Sequence, residues 1–587
     1  MVKLKIDGFD VEVEAGTSIL DAARSIQIDI PTLCKHPDVD PSAGCGMCIV
    51  KVNGRIIRSC CTPVAEGMEV ITNDAELRET RKTVLELILS NHPNSCLSCA
   101  RSGQCELQDM AMQMGVDRDE IEKIVSESEI DDSTQAIVLD PAKCIVCGRC
   151  VDICQNVQNV WALSYLNRGL VTKVTGANDV RLADTPCIKC GQCAAHCPTG
   201  AIVEYDETQK VWDMIKDPEI VTVVQIAPAV RVALGEEFGY DYGENLTDKI
   251  YAALRRIGFN KVFDTNFGAD LTIIEEATEF VKRFTAKDRL PMFTSCCPAW
   301  VDYVEKYYPD NLGNFSSCKS PHQMVGALAK TYYAQKVGVD ASKIRVVSVM
   351  PCTAKKWEVR RHETMNSSGY QDVDAVITTR ELAKMIRQAG INFKGLKGEV
   401  ADSPLGEYSG AATIFGVTGG VMTAALRTAY FYITGKELGN LSFDAIEGLD
   451  GVKVAEVDIN GTKIRIAVVN GVGNVEDVMS EIKAAEEAGE DLPYHFIEVM
   501  ACPGGCIAGG GQPKVMMHNL PKPWGITDEI RKQRSKGLNT EDAKAKNRLS
   551  HHNMEVKQLY DEFLGKPGEG KAHELLHTKY RVRNLYK

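Results

Sequence analysis

Long apolar runs and a basic character are both missing from this sequence of 587 residues. No window reaches the roughly 18 consecutive apolar residues that a membrane-spanning helix needs, so no membrane span is predicted. Residues 1–7 alternate like a strand and lack the apolar core of a secretory signal, which predicts a cytoplasmic protein. The 67 Lys and Arg against 80 Asp and Glu give a net charge of −13, which argues against nucleic acid as a partner.

Nucleotide-binding motifs are missing as well. No Walker A sequence occurs, and the stretch that begins at Gly471 and resembles a G-x-G-x-x-G fingerprint has Glu476 in place of the third glycine. If the protein uses a nicotinamide cofactor, we therefore expect a partner subunit to bind it.

Cysteine, by contrast, is abundant, with 22 residues in the chain. Sixteen of them lie between Cys34 and Cys197, and the next one is Cys296. Secreted disulfide scaffolds are short, whereas this chain is long and its cysteines form tight C-x2-C groups. The pattern is typical of an intracellular protein that binds metal.

A cysteine run that begins at Cys144 recurs at Cys187. Both copies have the spacing C-x2-C-x2-C-x3-C, which two-cluster bacterial ferredoxins use to hold two 4Fe-4S clusters. Zinc is the alternative, but zinc sites rarely use three cysteines at this spacing. Because the fourth cysteine of each run reaches the other cluster, the predicted ligand sets are Cys144, Cys147, Cys150 and Cys197 for one cluster, and Cys187, Cys190, Cys193 and Cys154 for the other.

The first cysteine group lies in a β-rich segment, where alternating residues predict a hairpin and Thr17-Ser18 predict the start of a helix. Its spacing, C-x10-C-x2-C-x11-C, departs from plant-type ferredoxins in the first gap. It resembles the ferredoxin-like domain of the large iron–sulfur subunit of respiratory complex I, which implies a 2Fe-2S cluster. Cys61 is an alternative fourth ligand, but Thr62-Pro63 follow at an offset that favours Cys60. The expected ligands are Cys34, Cys45, Cys48 and Cys60.

A second group has the spacing H-x3-C-x2-C-x5-C, formed by His92, Cys96, Cys99 and Cys105. One imidazole in place of a thiolate makes a 4Fe-4S cluster less negative and alters its potential. The alternative is a surface histidine beside a zinc site built from the three cysteines. The acidic residues 117–132 that follow are expected to form a linker or an exposed helix.

From about residue 220, short apolar runs alternate with helical patterns such as 381–386, which predicts parallel sheets packed between helices. The predicted strands are 221–226, 292–294, 345–350, 376–378, 464–469 and 496–500. Three cysteine motifs each follow one of these strands, and ligands in open α/β sheets bind at the carboxyl ends of strands. Thiolates from the three loops at Cys297, Cys352 and Cys502 could therefore hold one further cluster.

These three motifs together resemble those of iron-only (FeFe) hydrogenases, and the upstream cysteine groups match the long, multi-cluster members of that family. The resemblance runs from about residue 1 to 587, including residues 565–580 near the end. It implies an H-cluster, which is a 4Fe-4S cube joined through one thiolate to a two-iron subsite carrying carbon monoxide, cyanide and a bridging azadithiolate. The implied ligands are Cys297, Cys352, Cys502 and Cys506, with Cys506 bridging.

Residues around the two-iron subsite are also implied by the resemblance. Lys355 would pair with one cyanide, Pro228 and Ala229 would contact the other through their backbone, and Met350 and Met500 would pack beside the irons. Ordinary core packing is the alternative for each methionine.

A proton route is expected to begin at Cys296, which adjoins a ligand but is left over when ligands are counted. Glu276, Glu279 and Arg283 share one helix face at spacing i, i+3, i+7, and Ser316 matches the family's hydroxyl between the two glutamates. A solvated helix with ordinary ion pairs is the alternative.

The predicted fold is multidomain α/β and α+β. We expect a β-grasp 2Fe-2S ferredoxin-like domain at 1–78, a 4Fe-4S domain with one His and three Cys ligands at 79–118, and a two-cluster ferredoxin domain at 136–210. A two-lobed α/β catalytic domain at 220–515 would hold the active site between its lobes, and an extension at 516–587 would wrap it. The expected cofactors are one 2Fe-2S cluster, three accessory 4Fe-4S clusters and the H-cluster.

The expected reaction is the reversible oxidation of dihydrogen to protons and electrons. A cluster-assembly relative and a sensory hydrogenase are the alternatives, but Cys296, Lys355, Met350 and Met500 are all present, and no signalling domain is seen. The complex I-like half and Pro503, which replaces a histidine common in ferredoxin-dependent members, favour a subunit of an NAD(P)-linked, electron-bifurcating complex. We therefore expect a hetero-oligomer with a ferredoxin and/or flavin- and NAD(P)-binding partners, a stand-alone ferredoxin-linked enzyme being the alternative.

Overall fold

The computed structural model describes residues 1–124, 128–459, 461–514 and 527–586, which fold into two compact units. The N-terminal unit comprises Met1–Cys187, Gln192–Val203 and the described part of Lys514–Glu529. The C-terminal unit comprises the described parts of Ile188–Gly191, Glu204–Pro513 and Ile530–Lys587. No helix in these described ranges is long and apolar enough to cross a membrane.

The N-terminal unit contains a five-stranded mixed sheet in the order β2-β1-β5-β3-β4. Its strands are β1 (Val2–Ile6), β2 (Phe9–Val13), β3 (Ile49–Val52), β4 (Arg55–Arg58) and β5 (Glu69–Ile71). β1 pairs antiparallel with β2 and parallel with β5, so the predicted hairpin is confirmed. Helix α1 (Ile19–Ser25) begins where the sequence predicts, because the Ser18 side chain accepts a hydrogen bond from the backbone N–H of Asp21.

The rest of the N-terminal unit consists of short elements around the cysteine groups. Its helices are α2 (Ala75–Ser90), α3 (Glu106–Gln113), α4 (Arg149–Asp152) and α5 (Gln192–His196). Its remaining strands form two pairs, β6 (Ile137–Leu139) with β9 (Ile202–Glu204) and β7 (Ser164–Leu166) with β8 (Lys173–Thr175). Residues 117–124 and 128–132 form no helix, and residues 125–127 lie outside the described ranges.

The C-terminal unit is built on two four-stranded sheets. The first has the order β11-β10-β13-β14 and is entirely parallel. The second has the order β12-β17-β16-β15, and only β15 runs antiparallel to its neighbour. The strands are β10 (Val221–Ile226), β11 (Lys261–Asp264), β12 (Met292–Phe293), β13 (Ile344–Met350), β14 (Ala375–Thr378), β15 (Val452–Ile459), β16 (Thr462–Asn470) and β17 (Phe496–Met500).

Helices of the C-terminal unit cover these sheets, and one of them belongs to the cores of both. Helix α8 places Phe267 and Leu271 in the core of the first sheet, and Ile273 and Phe280 in the core of the second. A helix that is apolar on opposite faces is stable only when it is buried on both. The helices are α6 (Thr208–Lys216), α7 (Thr247–Ile257), α8 (Thr265–Ala286), α9 (Pro298–Tyr307), α10 (Pro321–Leu328), α11 (Ala334–Val337), α12 (Ala354–Glu358), α13 (Thr379–Gln388), α14 (Gly410–Thr413), α15 (Gly420–Thr434), α16 (Val475–Ala488), α17 (Thr527–Lys544), α18 (Met554–Leu559) and α19 (Gly570–Leu576).

All six strands predicted in this half of the chain are present, as is the helix at 381–386, which lies within α13. The expected parallel α/β architecture is confirmed. β11 and β15 were not predicted from the sequence. β15 lies at the sheet edge and alternates more buried with exposed side chains.

Candidate metal-cluster site

Four strands of the C-terminal unit end at one cavity. β10 and β13 of the first sheet lead into Pro228 and Cys352, and β12 and β17 of the second lead into Cys297 and Cys502. Cys506 lines the same cavity. Because all four strands are parallel within their sheets, their carboxyl ends carry the three cysteine motifs to one place, as expected for an α/β crevice.

The lining of this cavity fits a bulky inorganic cluster. Four thiols and the Lys355 ammonium are set among apolar side chains, including Met350 and Met500. One residue of the lining must be glycine, because two backbone segments approach closely there. Gly505 has φ +88°, and a Cβ atom there would lie 2.8 Å from the amide nitrogen of Thr418. Cys296 also lines the cavity.

Lys355 is fixed by a buried counter-ion. Its Nζ lies 2.9 Å from Oε2 of Glu358 and donates to the carbonyl of Cys296 at 3.1 Å. Nε2 of His322 lies 2.7 Å from the same carboxylate oxygen. Burial opposes the charge of Glu358, but Lys355 and His322 lower the pKa of this carboxyl to about 2. Burial likewise opposes the charge of Lys355, but the negative charge of Glu358 has the larger effect and raises the pKa of the ammonium. A cation is therefore held at the cavity wall.

Pro228 lines the cavity, whereas Ala229 lies behind the wall. Ala229 is fully buried against Ile507, and its carbonyl accepts a hydrogen bond from Nε2 of Gln512 at 2.9 Å. Its methyl side chain offers no polar atom to a bound group.

Glu276 lies on α8 and is fully buried. Burial raises the pKa of this carboxyl to about 8, the Ser316 hydroxyl offsetting part of the rise. Within the described ranges, neither of its carboxylate oxygens makes a hydrogen bond of good geometry. Burial also raises the pKa of the Cys296 thiol. Near neutral pH, both groups therefore carry a proton.

Glu279 lies one turn further along α8 and accepts three hydrogen bonds. The donors are the backbone N–H of Ser317 at 3.0 Å, its hydroxyl at 3.0 Å, and the guanidinium of Arg283 at 2.5 Å. Arg283 also donates to the carbonyls of Asn314 and Phe315. Thus the helix face predicted from the i, i+3, i+7 spacing is formed. The single hydroxyl expected between the two glutamates is replaced by two adjacent serines, of which Ser316 acts on Glu276 and Ser317 binds Glu279.

In the N-terminal unit, four thiols face one another beside the five-stranded sheet. Cys34 lies within hydrogen-bond reach of Cys45 and Cys60, and Cys48 within reach of Cys60. Cys61 is exposed, and its thiol lies 3.8 Å from the carbonyl of Arg58. The structure therefore groups Cys60, rather than Cys61, with the other three.

His92 presents an unpartnered buried nitrogen. Its side chain is 6% exposed, Nδ1 lies 3.0 Å from the carbonyl of Pro93, and Nε2 has no hydrogen-bond partner among the described residues. Burial lowers the pKa of this imidazole to about 4, so the ring is neutral at pH 7, the form that binds metal. A bond from Nδ1 to a carbonyl is the usual way of orienting a metal-binding histidine.

The cysteine runs of the repeat also converge. Cys144, Cys147, Cys150 and Cys197 line one small cavity in the N-terminal unit. Cys154 and Cys187 lie close enough for the charge of one to raise the pKa of the other, and Cys193 affects Cys150 in the same way. Cys190 lies on Ile188–Gly191, which belongs to the C-terminal unit, where its charge acts on Cys502.

Some residues at the site were not found from the sequence. Glu358 and His322 support Lys355, and Ser317 binds Glu279. Glu358 could have been found from its i+3 position after Lys355 on a helix. His322 and Ser317 have no local signal, because their partners lie more than 30 residues away.

Comparison with family models divides the chain into five matches. Residues 220–510 match the iron only hydrogenase large subunit, C-terminal domain, and residues 528–583 match the iron hydrogenase small subunit. Residues 81–120 match the NADH-ubiquinone oxidoreductase-G iron-sulfur binding region, residues 1–75 a 2Fe-2S iron-sulfur cluster binding domain, and residues 143–201 a 4Fe-4S dicluster domain.

Similar proteins span the whole chain. The NADP-reducing hydrogenase subunit HndD of Solidesulfovibrio fructosivorans is 46% identical over 99% of both chains. Iron hydrogenase 1 of Clostridium pasteurianum is 41% identical over 99% of this chain and 100% of its own. Among solved structures, a variant of the apo [FeFe]-hydrogenase HydA1 from Chlamydomonas reinhardtii matches with a TM-score of 0.56 and 38% identity, covering 65% of this chain and 100% of that one.

Proposed function

Because this chain belongs to the iron-only hydrogenases, we propose that it oxidises dihydrogen reversibly at the cavity of the C-terminal unit and passes the electrons through accessory clusters to an NAD(P)-binding partner subunit, a ferredoxin, or both. The observation that carries this proposal is the convergence of four cysteine thiols, one buried lysine and the Cys296 thiol on a single apolar cavity. The same arrangement favours an enzyme over a cluster carrier, since the cavity holds proton-bearing and cationic groups beside the thiols.

The residues that would hold an H-cluster are Cys297, Cys352, Cys502 and Cys506. When bound, this cofactor supplies the cleavage and formation of dihydrogen. The protein contributes charge and exclusion of water. The Lys355 ammonium would neutralise an anionic ligand such as cyanide, and Met350 and Met500 keep the wall apolar, which strengthens that interaction.

Proton transfer would use groups that already hold or accept protons. The thiol Sγ of Cys296 faces the cavity, the carboxyl of Glu276 is protonated near neutral pH, and the carboxylate of Glu279 accepts bonds from Ser317 and Arg283. Glu276 lies near enough to Cys296 to act on its thiol, and Glu279 lies one turn further along α8. We infer that they relay protons between the cavity and the surface, with Ser316 acting on Glu276.

The electron relay would use the twenty ligands predicted from the sequence, in one 2Fe-2S cluster, three accessory 4Fe-4S clusters and the H-cluster. Three observations support this assignment. The thiol of Cys60 lies with those of Cys34, Cys45 and Cys48, Nε2 of His92 has no partner among the described residues, and the cavity that Cys197 lines is lined by three further cysteines. We propose the five domains predicted from the sequence as the carriers of these clusters. We also propose a cytoplasmic location, because free thiols persist in reducing compartments.

The partner assignment rests on the full-length similarity to an NADP-reducing hydrogenase subunit and on the complex I-like iron–sulfur region. We propose a hetero-oligomer in which a flavin- and NAD(P)-binding subunit receives or supplies electrons. The test is to purify the native protein, identify the co-eluting subunits, and assay NAD(P)+ and ferredoxin reduction by dihydrogen. Co-elution with a nucleotide-binding subunit and reduction of NAD(P)+ are expected. A chain that elutes alone and reduces only ferredoxin would contradict the partner assignment and leave the hydrogenase assignment intact.

A further inference from the structure

A second hydrogen-bonded branch leaves Glu279 and leads away from Arg283. The hydroxyl of Ser317 lies 3.0 Å from Oε2 of Glu279 and 2.8 Å from Nδ1 of His577. His577 directly follows α19, and its side chain is 4% exposed. An isolated bridge between Cys318 and His577 fixes this segment beside Ser317. The C-terminal segment thus brings an imidazole within one hydroxyl of the proposed proton route.

The other nitrogen of His577 is held by a buried carboxylate. Nε2 lies 3.1 Å from Oε2 of Glu275, whose side chain is fully buried. Glu275 also accepts from the hydroxyl of Tyr560 and from the backbone N–H of Gly568 at 2.6 Å. This carboxylate is an acceptor only, so it fixes the ring with Nε2–H donating to it and leaves Nδ1 facing Ser317.

The Ser317 hydroxyl has one proton and two acceptors. If it donates to the Glu279 carboxylate, Nδ1 of His577 must carry a proton and donate to the hydroxyl oxygen. If it donates to a neutral Nδ1, Glu279 must be protonated and donate to the hydroxyl oxygen. The two arrangements contain the same atoms and charge, and differ by the shift of two protons along two existing hydrogen bonds. One proton therefore passes between Glu279 and His577 without any side chain leaving its place.

His573 lies beside the inner end of the branch. It lies one turn before His577 on α19, the two rings stack with centroids 4.7 Å apart, and its side chain is exposed. The charged and titratable groups that act on His573 are Glu275, Glu279, His577 and Lys579. Those that contact or act on the buried part of the branch are Arg283, Cys318 and Tyr560. Both nitrogens of His577 are bonded, one to Ser317 and one to Glu275, so the chain of hydrogen bonds ends at this ring.

We propose that Ser317 and His577 form a second proton branch, which exchanges one proton with Glu279 beside the route that ends at Arg283. This inference rests on the proposed function of Glu279 as a proton carrier. Ser317 and His577 act through Glu279, and are therefore positioning and transfer groups rather than catalytic residues.

The test compares Ser317→Ala and His577→Asn with wild type and with His552→Gln, an exposed histidine outside the branch. We expect each branch variant to lower the turnover of the holoenzyme by on the order of twofold, since Glu279 loses the group that stores its proton, and to change the pH profile and raise the solvent isotope effect. Ser317→Thr keeps a hydroxyl and should restore wild-type behaviour. Ser317→Ala removes only a hydroxyl, so it keeps the test valid if the His577 variant does not fold.

A second readout does not depend on activity. Nitrogen chemical shifts of labelled histidines report the protonation of Nδ1 in His577, and we expect its titration midpoint to move in Glu279→Gln and in Ser317→Ala, but not in His552→Gln. Midpoints and pH profiles that match wild type in all branch variants would overturn the branch. If Glu279→Gln itself leaves turnover unchanged, the proposed proton route fails, and the branch fails with it. If turnover is slow in Glu279→Gln but unaffected in the branch variants, only the branch is overturned.

Discussion

Nζ of Lys355 lies 2.9 Å from Oε2 of Glu358, and both side chains are buried at the wall of the cavity. The pair holds a positive charge where an anionic ligand would need it, and His322 secures the carboxylate from the other side. Breaking a buried pair by removing one partner leaves an uncompensated charge in a medium of low dielectric constant, which is costly.

We therefore predict that Glu358→Gln lowers the free energy of unfolding by about 3–5 kcal/mol. The matched control is Glu219→Gln, which breaks an ion pair of the same length, 2.9 Å to Lys343, between exposed side chains. That change should cost less than about 1 kcal/mol. Denaturant unfolding followed by circular dichroism measures both, and equal losses in the two variants would contradict a structural role for the buried pair.

The raised pKa of Glu276 predicts how stability depends on pH. The ordinary pKa of this carboxyl is 4.5, and burial raises it to about 8 in the folded chain. Between these values the folded state binds a proton that the unfolded state has lost, so the stability from this group is present at low pH and is lost as pH rises toward 8. Wild type should lose about 1.4 kcal/mol per pH unit relative to Glu276→Gln across that range.

The measurement is the difference in melting temperature between wild type and Glu276→Gln from about pH 5 to pH 9. Parallel curves would mean that Glu276 ionises at an ordinary pH and is not a proton carrier of the kind proposed. Glu487→Gln changes an exposed carboxylate and serves as the control. Its curve should follow that of wild type.

His92 gives a prediction about the accessory clusters. Replacing it with cysteine should keep a 4Fe-4S cluster and shift its potential downward, because a thiolate adds negative charge. Its Nε2 lacks a partner in the described part of the chain, as expected for a nitrogen that faces a metal. A potentiometric titration followed by electron paramagnetic resonance measures the shift. An unchanged potential would show that the histidine is not a ligand, and His495→Cys controls for the added thiol.

Proton transfer gives a prediction about turnover. Cys296→Ala and Glu279→Gln should each lower turnover by at least about 100-fold, the scale of positioned proton transfer. The cavity and its thiols are untouched by Glu279→Gln, so the infrared bands of the bound cofactor should survive. The Glu487→Gln variant again provides the control on an exposed helix. Turnover near that of wild type in Cys296→Ala with an intact cofactor would show that protons leave by another path.

The strand pattern and the cluster ligands could be predicted because each depends on local sequence. A buried parallel strand such as 221–226 is a continuous apolar run, and cysteines at x2 spacing can meet only at one centre. β11 (Lys261–Asp264) could not be found in this way, because four residues beginning with a lysine carry too little pattern.

The hydrogen-bond partners could not be predicted, because they come from distant parts of the chain. The resemblance assigned the hydroxyl to Ser316, whereas the structure adds Ser317 as the group that binds Glu279. His577 reaches that serine from the extension predicted to wrap the catalytic domain, and only the packing of Tyr560 and Leu576 shows that this segment belongs to the core. Residues 516–526 of that extension lie outside the described ranges.

The most direct test of the hydrogenase assignment is the infrared spectrum of the matured protein, recorded with its dihydrogen uptake and evolution using artificial dyes. The account predicts stretches of carbon monoxide and cyanide together with activity in both directions, and their loss in Cys506→Ala. A protein fully loaded with iron that shows neither the bands nor activity would contradict it and would favour a role in assembling or delivering clusters.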